Sequence, residues 1–197
     1  MLTTSHAYWT WKAGRGRRRC AGAVLGAVAP DLPAICAVAV LRARGRPTEG
    51  LLDAAYHGPG LAPLHMAVHS LLAPTAAALV GRAPRAFAAG WLGHLLVDYA
   101  THARDAWPPA WPLSRRRFPS PVSYWEPDRH ARAFSAIEVA ALVAAASRDR
   151  GLLRAAGLAA AALAAAPAMA PSGKSMWNAV GARPDVEGRS RDLGEIR

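Results

Sequence analysis

Cysteine is nearly absent from this chain: Cys20 and Cys36 are the only two. Two separate thiols in apolar sequence exclude a disulfide framework and a CxxC zinc motif, and both read as buried, inert side chains. Acid is also scarce, with 13 Asp and Glu against 24 Lys and Arg, a net charge of +11. Five acids (Asp149, Asp185, Glu187, Asp192 and Glu195) fall in or near the C-terminal tail, so a carboxylate inside an apolar segment stands out. Lysine is confined to Lys12 and Lys174, which leaves arginine to carry the positive charge. There is no glycine-rich phosphate loop, no GxSxG elbow and no Cys/His nucleophile arrangement. No stretch alternates with a period of two and no internal repeat occurs, so the sequence predicts no sheet and no solenoid. Met1 to Lys12 is polar and aromatic and lacks the apolar core of a secretory signal. The expected location is the inner (cytoplasmic) membrane, with a cytoplasmic, membrane-associated protein as the alternative.

What the chain does have is alanine, leucine and arginine. Hydrophobic residues make up 52%, and the mean hydropathy of +0.08 lies between a soluble helical protein and a small membrane protein. The length of 197 residues suits one domain with a real core. Arginines cluster at Arg15 to Arg19, Arg42 to Arg46, Arg115 to Arg117 and Arg148 to Arg154, each at the end of an apolar segment. That placement favours an anionic membrane surface over a continuous nucleic-acid stripe, and nucleic acid is not an expected partner. The fold class that follows is all-α: a compact, membrane-associated bundle of about five to seven helices over 1–170, with 171–197 as a polar, disordered tail.

In detail, 1–14 reads as a short helix or turn. Residues 20–41 read as two short helices around the Pro30-Asp31-Leu32-Pro33 break, and 42–60 as a loop. A helix is expected over 61–81, with Pro74 as a kink or stop, and another over 84–103, with Pro84 in its first turn. Residues 104–127, rich in proline and tryptophan, read as an interfacial loop. Helices over 130–147 and 151–170 follow, and the second has the length of a bilayer span. The small-residue runs Ala21 to Ala29 and Ala155 to Ala166 are close-packing helix faces.

The chemistry is concentrated in the first 102 residues. His94 and Asp98 stand four apart in an apolar helix and therefore share one face. No Lys or Arg within a turn neutralises Asp98, and an unpaired buried carboxylate is costly. His65/His69 and Asp98/His102 repeat the same spacing. Helices 61–81 and 84–103, joined by a short link, are expected to be antiparallel neighbours whose His/Asp faces meet across one gap. Asp31, at the helix break, can point into that gap or cap the helix that follows. His6 can arrive from the N-terminal segment. Imidazole nitrogen with carboxylate oxygen is a donor set for a divalent cation, zinc first and manganese second. The plainer alternatives are His65 as a surface or supporting residue and His102 as a helix-end partner of the dipole.

The order His6, Pro30-Asp31, His69-Ser70, Gly93-His94 with Asp98, then Trp111-Pro112-Leu113 resembles the YdjM-type family of membrane-bound, metal-dependent hydrolases (LexA-binding, inner-membrane-associated). More remotely, it is similar to the ligand order of zinc-dependent phospholipase C. The resemblance covers roughly 1–145, and its motifs are short. It implies a helical inner-membrane hydrolase with His6, Asp31, His69, His94 and Asp98 as metal ligands and Ser70 supporting them. Ser123-Tyr124-Trp125-Glu126 with His130 resembles the region after the family's loop, which would bring His130 towards the site. The family's His-Arg-Gly stretch is replaced here by Pro63-Leu64-His65-Met66-Ala67, so His65 does not inherit its role.

The function expected on these grounds is hydrolysis of a phosphoester or other ester by a metal-activated water, on a membrane lipid or an anionic small molecule. Asp98 or Asp31 would serve as general base or as a bridge between two ions. The rival expectation is a non-enzymatic helical membrane protein whose ion is structural or regulatory. A basic adaptor for nucleic acid or a DNA-binding protein ranks last, because it leaves the His/Asp pairs unexplained.

Overall fold

A computed structural model describes residues 2–15, 20–48, 50–58, 60–79 and 85–165. Among these residues every regular element is helical. The α-helices are α1 (Thr3–Gly14), α2 (Cys20–Val28), α3 (Leu32–Ala43), α4 (Leu51–His57), α5 (Leu61–Val68), α6 (Leu72–Leu79), α7 (Arg85–Thr101), α8 (Ala131–Ala146) and α9 (Leu152–Ala164). Short 3-10 turns occupy Ala29–Asp31 and Pro127–Arg129. The expected all-α class is therefore the observed one. The reading of 171–197 as a disordered tail lies outside the described residues, as does Pro84 at the start of α7.

Several boundaries differ from expectation, each for a local reason. The two helices expected around Pro30–Pro33 are α2 and α3, with the 3-10 turn Ala29–Asp31 between them in place of an open break. Pro30 falls in the first positions of the 3-10 turn and Pro33 in those of α3. A proline there lacks only an N–H that would be unpaired anyway. Cys20–Ala43 thus becomes one run of 24 residues, long and apolar enough to cross a membrane. The loop expected over 42–60 contains α4, which forms because Leu51 and Ala55 point inward and are buried. The helix expected over 61–81 is two, α5 and α6. It breaks at His69–Leu71, where the Ser70 hydroxyl accepts the Leu72 N–H at 3.2 Å. α9 covers Leu152–Ala164, and 166–170 of the helix expected over 151–170 lie outside the described residues. Cys36 is exposed and Cys20 only partly covered, so neither is the buried thiol the sequence suggested.

Two packing units position the site. α2 packs most extensively on α7, and α1 lies against α2. α8 and α9 pair with each other and receive α1 through a small core of Tyr8, Leu142, Ala145, Ala160, Ala161 and Ala164. α1 is fastened at its far end to the α8–α9 connection. There the Asp149 carboxylate accepts hydrogen bonds from Lys12 Nζ at 2.7 Å and Tyr8 OH at 2.8 Å, and Arg15 adds a contact at 3.3 Å. These donors hold the Asp149 carboxyl below its ordinary value. The proline-rich loop after α7 is held at both feet. Ser120 donates from its backbone to the His102 carbonyl and from its hydroxyl to Ala100, while Leu71 N–H binds Pro109.

Candidate metal centre

Four separate segments meet at one point. His6 comes from the first turns of α1, and Asp31 from the last residue of the 3-10 turn. His69 directly follows α5, and His94 and Asp98 lie on the inner face of α7. His6, His94 and Asp98 form one group and Asp31, His69 and His94 another. In each group one ligand atom per residue lies within 4.8 Å of the others. All five side chains are buried, with His69 and His94 only 2% and 1% exposed.

The hydrogen bonds behind the imidazoles decide what the site can hold. His94 Nδ1 is 2.7 Å from the Ala27 carbonyl, and His69 Nδ1 is 3.0 Å from the His65 carbonyl. A carbonyl only accepts, so each Nδ1 carries a proton, and in the neutral ring each Nε2 presents a lone pair. Those two Nε2 atoms face carboxylates. They lie 3.7 Å (His94) and 3.8 Å (His69) from Asp31 Oδ1, and 2.9 Å and 4.0 Å from Asp98 Oδ2. His94 Nε2 is buried without a hydrogen bond of acceptable geometry. Lone pairs facing carboxylate oxygens repel unless a proton or a cation lies between them. Two ligands 2.1 Å from a tetrahedral zinc are about 3.4 Å apart, within the spread of these separations. The residues present therefore fit a divalent cation.

Asp98 offers its two oxygens to different partners. Oδ2 faces His94 and His69, while Oδ1 lies 3.0 Å from His6 Nε2 and 3.5 Å from His102 Nε2. Burial opposes the charge on Asp98, but the imidazoles of His102 and His94 more than offset it and hold the carboxyl well below its ordinary range. His102 lies just beyond α7, between Asp98 and Asp105. Burial works against its protonation, yet the two carboxylates win and push it up to about 9. His6 goes the other way: burial lowers it despite the hydrogen bond with Asp98.

The other residues singled out in the sequence divide. Asp31 occupies the position before α3 but makes no capping hydrogen bond, and its Oδ2 accepts the Thr3 hydroxyl instead. His65 is fully buried but turned away from the cluster. Its Nε2 binds the Ala55 carbonyl at 3.1 Å, and burial with neighbouring His69 lowers it to about 4. Its contribution is its backbone carbonyl, which orients His69. Ser70 reaches the Pro109 and Trp111 carbonyls at 3.1 and 2.7 Å and so anchors the loop rather than a ligand. His130 is exposed, in a left-handed turn before α8, and makes no contact with the cluster. Here the structure contradicts the expectation that it approaches the site, because the turn carries its side chain to solvent.

Four functional neighbours were not picked out from the sequence. Thr3 fixes Asp31, and Asp105 fixes His102. Tyr99 donates its hydroxyl to the His69 carbonyl. Trp107 lays its ring against His65 and His69, with centroids 5.7 and 5.6 Å away. Only Asp105 had a legible signal, its spacing of three from His102. Compared with known proteins, the chain matches no family model, no curated protein and no solved structure.

Proposed function

We propose that this protein is a membrane-associated, metal-dependent hydrolase acting on an ester or phosphoester. The observation that carries the reading is the pair of Nε2 atoms of His69 and His94, each ring fixed by a backbone carbonyl and turned towards Asp31 and Asp98. Such backbone hydrogen bonds set tautomer and ring orientation at metal-ligating histidines. A divalent cation, zinc or manganese, would supply Lewis acidity and lower the pKa of a water molecule. The chain's own residues do the rest. His6, Asp31, His69, His94 and Asp98 hold the charge in place, and Asp98 or Asp31 accepts the proton of the attacking water. His102 is placed to hold a proton at Nε2, 3.5 Å from Asp98. Asp98, with one oxygen towards each imidazole set, would help to hold the cation from either side. Cys20–Ala43 would place the centre at a membrane, and its substrate would be a lipid or a small anion drawn by the arginines.

Purified protein is expected to carry near-stoichiometric zinc or manganese by elemental analysis and to cleave a member of an ester and phosphoester panel. The His94→Ala/Asp98→Ala double variant should lose both. Full metal content in that variant would sink the assignment. The depth of burial favours one second reading: a closed, structural ion in a non-enzymatic membrane protein. Stoichiometric metal with no hydrolysis across the panel supports that reading instead.

A further inference from the structure

The proline-rich loop after α7 carries a basic and apolar tip that the metal centre does not use. No Asp or Glu occurs between Asp105 and Glu126, while Arg115, Arg116 and Arg117 are consecutive. All three arginines are exposed, and beside them Leu113 and Phe118 are 82% and 54% exposed. The Arg116 guanidinium lies over the Phe118 ring, 5.1 Å from its centroid. Other cations meet carboxylates: Lys12 and Arg15 reach Asp149, and Arg104 reaches Glu126 and Asp128. Among the described residues, Arg115, Arg116 and Arg117 have no carboxylate partner. The tip is held in shape. Ser114 N–H donates to the Ala110 carbonyl at 3.0 Å and Arg116 N–H to the Ser114 hydroxyl at 3.1 Å. Ser70, which follows the candidate ligand His69, donates to the Trp111 carbonyl at 2.7 Å. At the start of the loop the Trp107 ring packs against His69, so the loop is continuous with the wall of the metal centre.

Three guanidiniums without carboxylates, flanked by a protruding leucine and phenylalanine, match a surface that offers phosphate beside hydrocarbon. Headgroup phosphates meet the arginines, and the acyl boundary beneath takes the leucine and the ring. A nucleic-acid backbone would take the arginines but gives Leu113 nothing apolar to bury against. A tip already fixed in shape also loses little freedom on docking. We propose that Leu113 to Phe118 form a docking surface for anionic lipid headgroups, which selects the charge of the bilayer the protein sits on. An apolar run such as Cys20–Ala43 responds to hydrocarbon whatever the headgroup charge, and the arginine tip adds the preference. The proposal rests on the membrane association proposed above and not on the metal chemistry.

The test places a nitroxide label at the loop tip of the full chain through Leu113→Cys in a Cys20→Ala/Cys36→Ala background. The chain is reconstituted with vesicles of phosphatidylcholine alone or of an equimolar phosphatidylcholine–phosphatidylglycerol mixture. Flotation is measured, together with the label's collisions with a water-soluble nickel complex. Each arginine at an anionic surface contributes about fivefold, so phosphatidylglycerol should raise the label's shielded-to-exposed ratio on the order of 10- to 100-fold. Arg115→Ala/Arg116→Ala/Arg117→Ala should cancel that rise, and so should roughly 1 M salt, which screens exposed charges. A chain that floats only with the anionic vesicles supports the docking surface while removing the membrane span. One that floats with both, its label equally exposed or equally shielded in both, overturns the docking surface alone. One that floats with neither overturns the docking surface and the membrane reading together. Shielding by a mixed-sequence oligonucleotide without lipid, as strong as that by anionic vesicles, also overturns the proposal and assigns the arginines to nucleic acid.

Discussion

His102 shows how much of this site depends on single contacts. It lies between Asp98 and Asp105, so without bound metal its imidazole stays charged at neutral pH and titrates near about 9. In the unfolded chain it titrates near about 6.5. A group raised on folding contributes stability that is complete below its unfolded pKa and is lost as pH rises through the folded one. Chelator-treated protein should therefore lose on the order of 1–3 kcal/mol of unfolding free energy between about pH 6.5 and 9. Asp105→Asn should flatten that slope. A wild-type stability that is level across this window in denaturant titrations would contradict the placement of His102 between two carboxylates. At this scale the sequence was informative wherever spacing on one helix sufficed, as for His94 and Asp98. It was silent for Thr3 and Asp31, 28 residues apart, because their meeting depends on how α1 crosses the 3-10 turn. It misled at His130, which the family resemblance drew towards the site and which the left-handed turn before α8 leaves exposed.

Between elements, the decisive contact is the crossing of α2 and α7. A Cβ added at Gly26 would lie 1.9 Å from the Phe87 carbonyl oxygen, and one at Gly90 would lie 1.9 Å from that of Ala23. Both neighbours are backbone and cannot move aside, so only glycine permits this approach. The approach has a chemical consequence: it brings the Ala27 carbonyl, next to Gly26, within 2.7 Å of His94, one turn after Gly90. Helix packing thus sets the tautomer of a candidate ligand. Gly90→Ala should lower the unfolding midpoint by roughly 3–10 °C, given about 1–3 kcal/mol for overpacking and 2–4 °C per kcal/mol at this size. It should also weaken zinc retention. Gly93→Ala is the control: a Cβ there meets nothing within 4 Å, and alanine should be neutral or slightly stabilising. Equal midpoints for the two variants would mean that the helices do not touch as described. The sequence marked small-residue faces on α2 and α9 and, from a short link, set α7 beside the helix before it; α6 does lie against α7. It did not foresee that glycine against backbone makes α2 the more extensive partner of α7. α4 was missed because seven residues are too few for a helical period to stand out from the glycine and proline around them.

In the molecule as a whole, several large aliphatic side chains among the described residues face outward. Leu25, Ile137, Leu79 and Leu152 are 64%, 71%, 82% and 88% exposed, on four different helices. Many of the exposed arginines cluster at the connections between helices. Arg42, Arg44 and Arg46 are exposed at and beyond the end of α3, Arg115 to Arg117 on the proline-rich loop, and Arg148 and Arg150 between α8 and α9. Apolar helix flanks with arginines at the connections suit a bilayer, where guanidinium groups meet headgroup phosphate and leucine meets acyl chains. The alternation of apolar segments and arginine clusters was legible in the sequence. Their exposure was not, since it depends on which faces the alanine-rich α8–α9 pair and the α2–α7 crossing leave open. The expected outcome is that expressed protein sediments with membranes, stays there through alkaline carbonate washing, and enters solution only with detergent. Replacing Leu25, Ile35 and Val40 together with serine should release a substantial fraction into the carbonate supernatant while leaving the His69–His94 centre able to take up zinc. Wild-type protein recovered without detergent as a monodisperse monomer would show instead that these leucines face water, and the membrane reading would fall even if the metal centre stood.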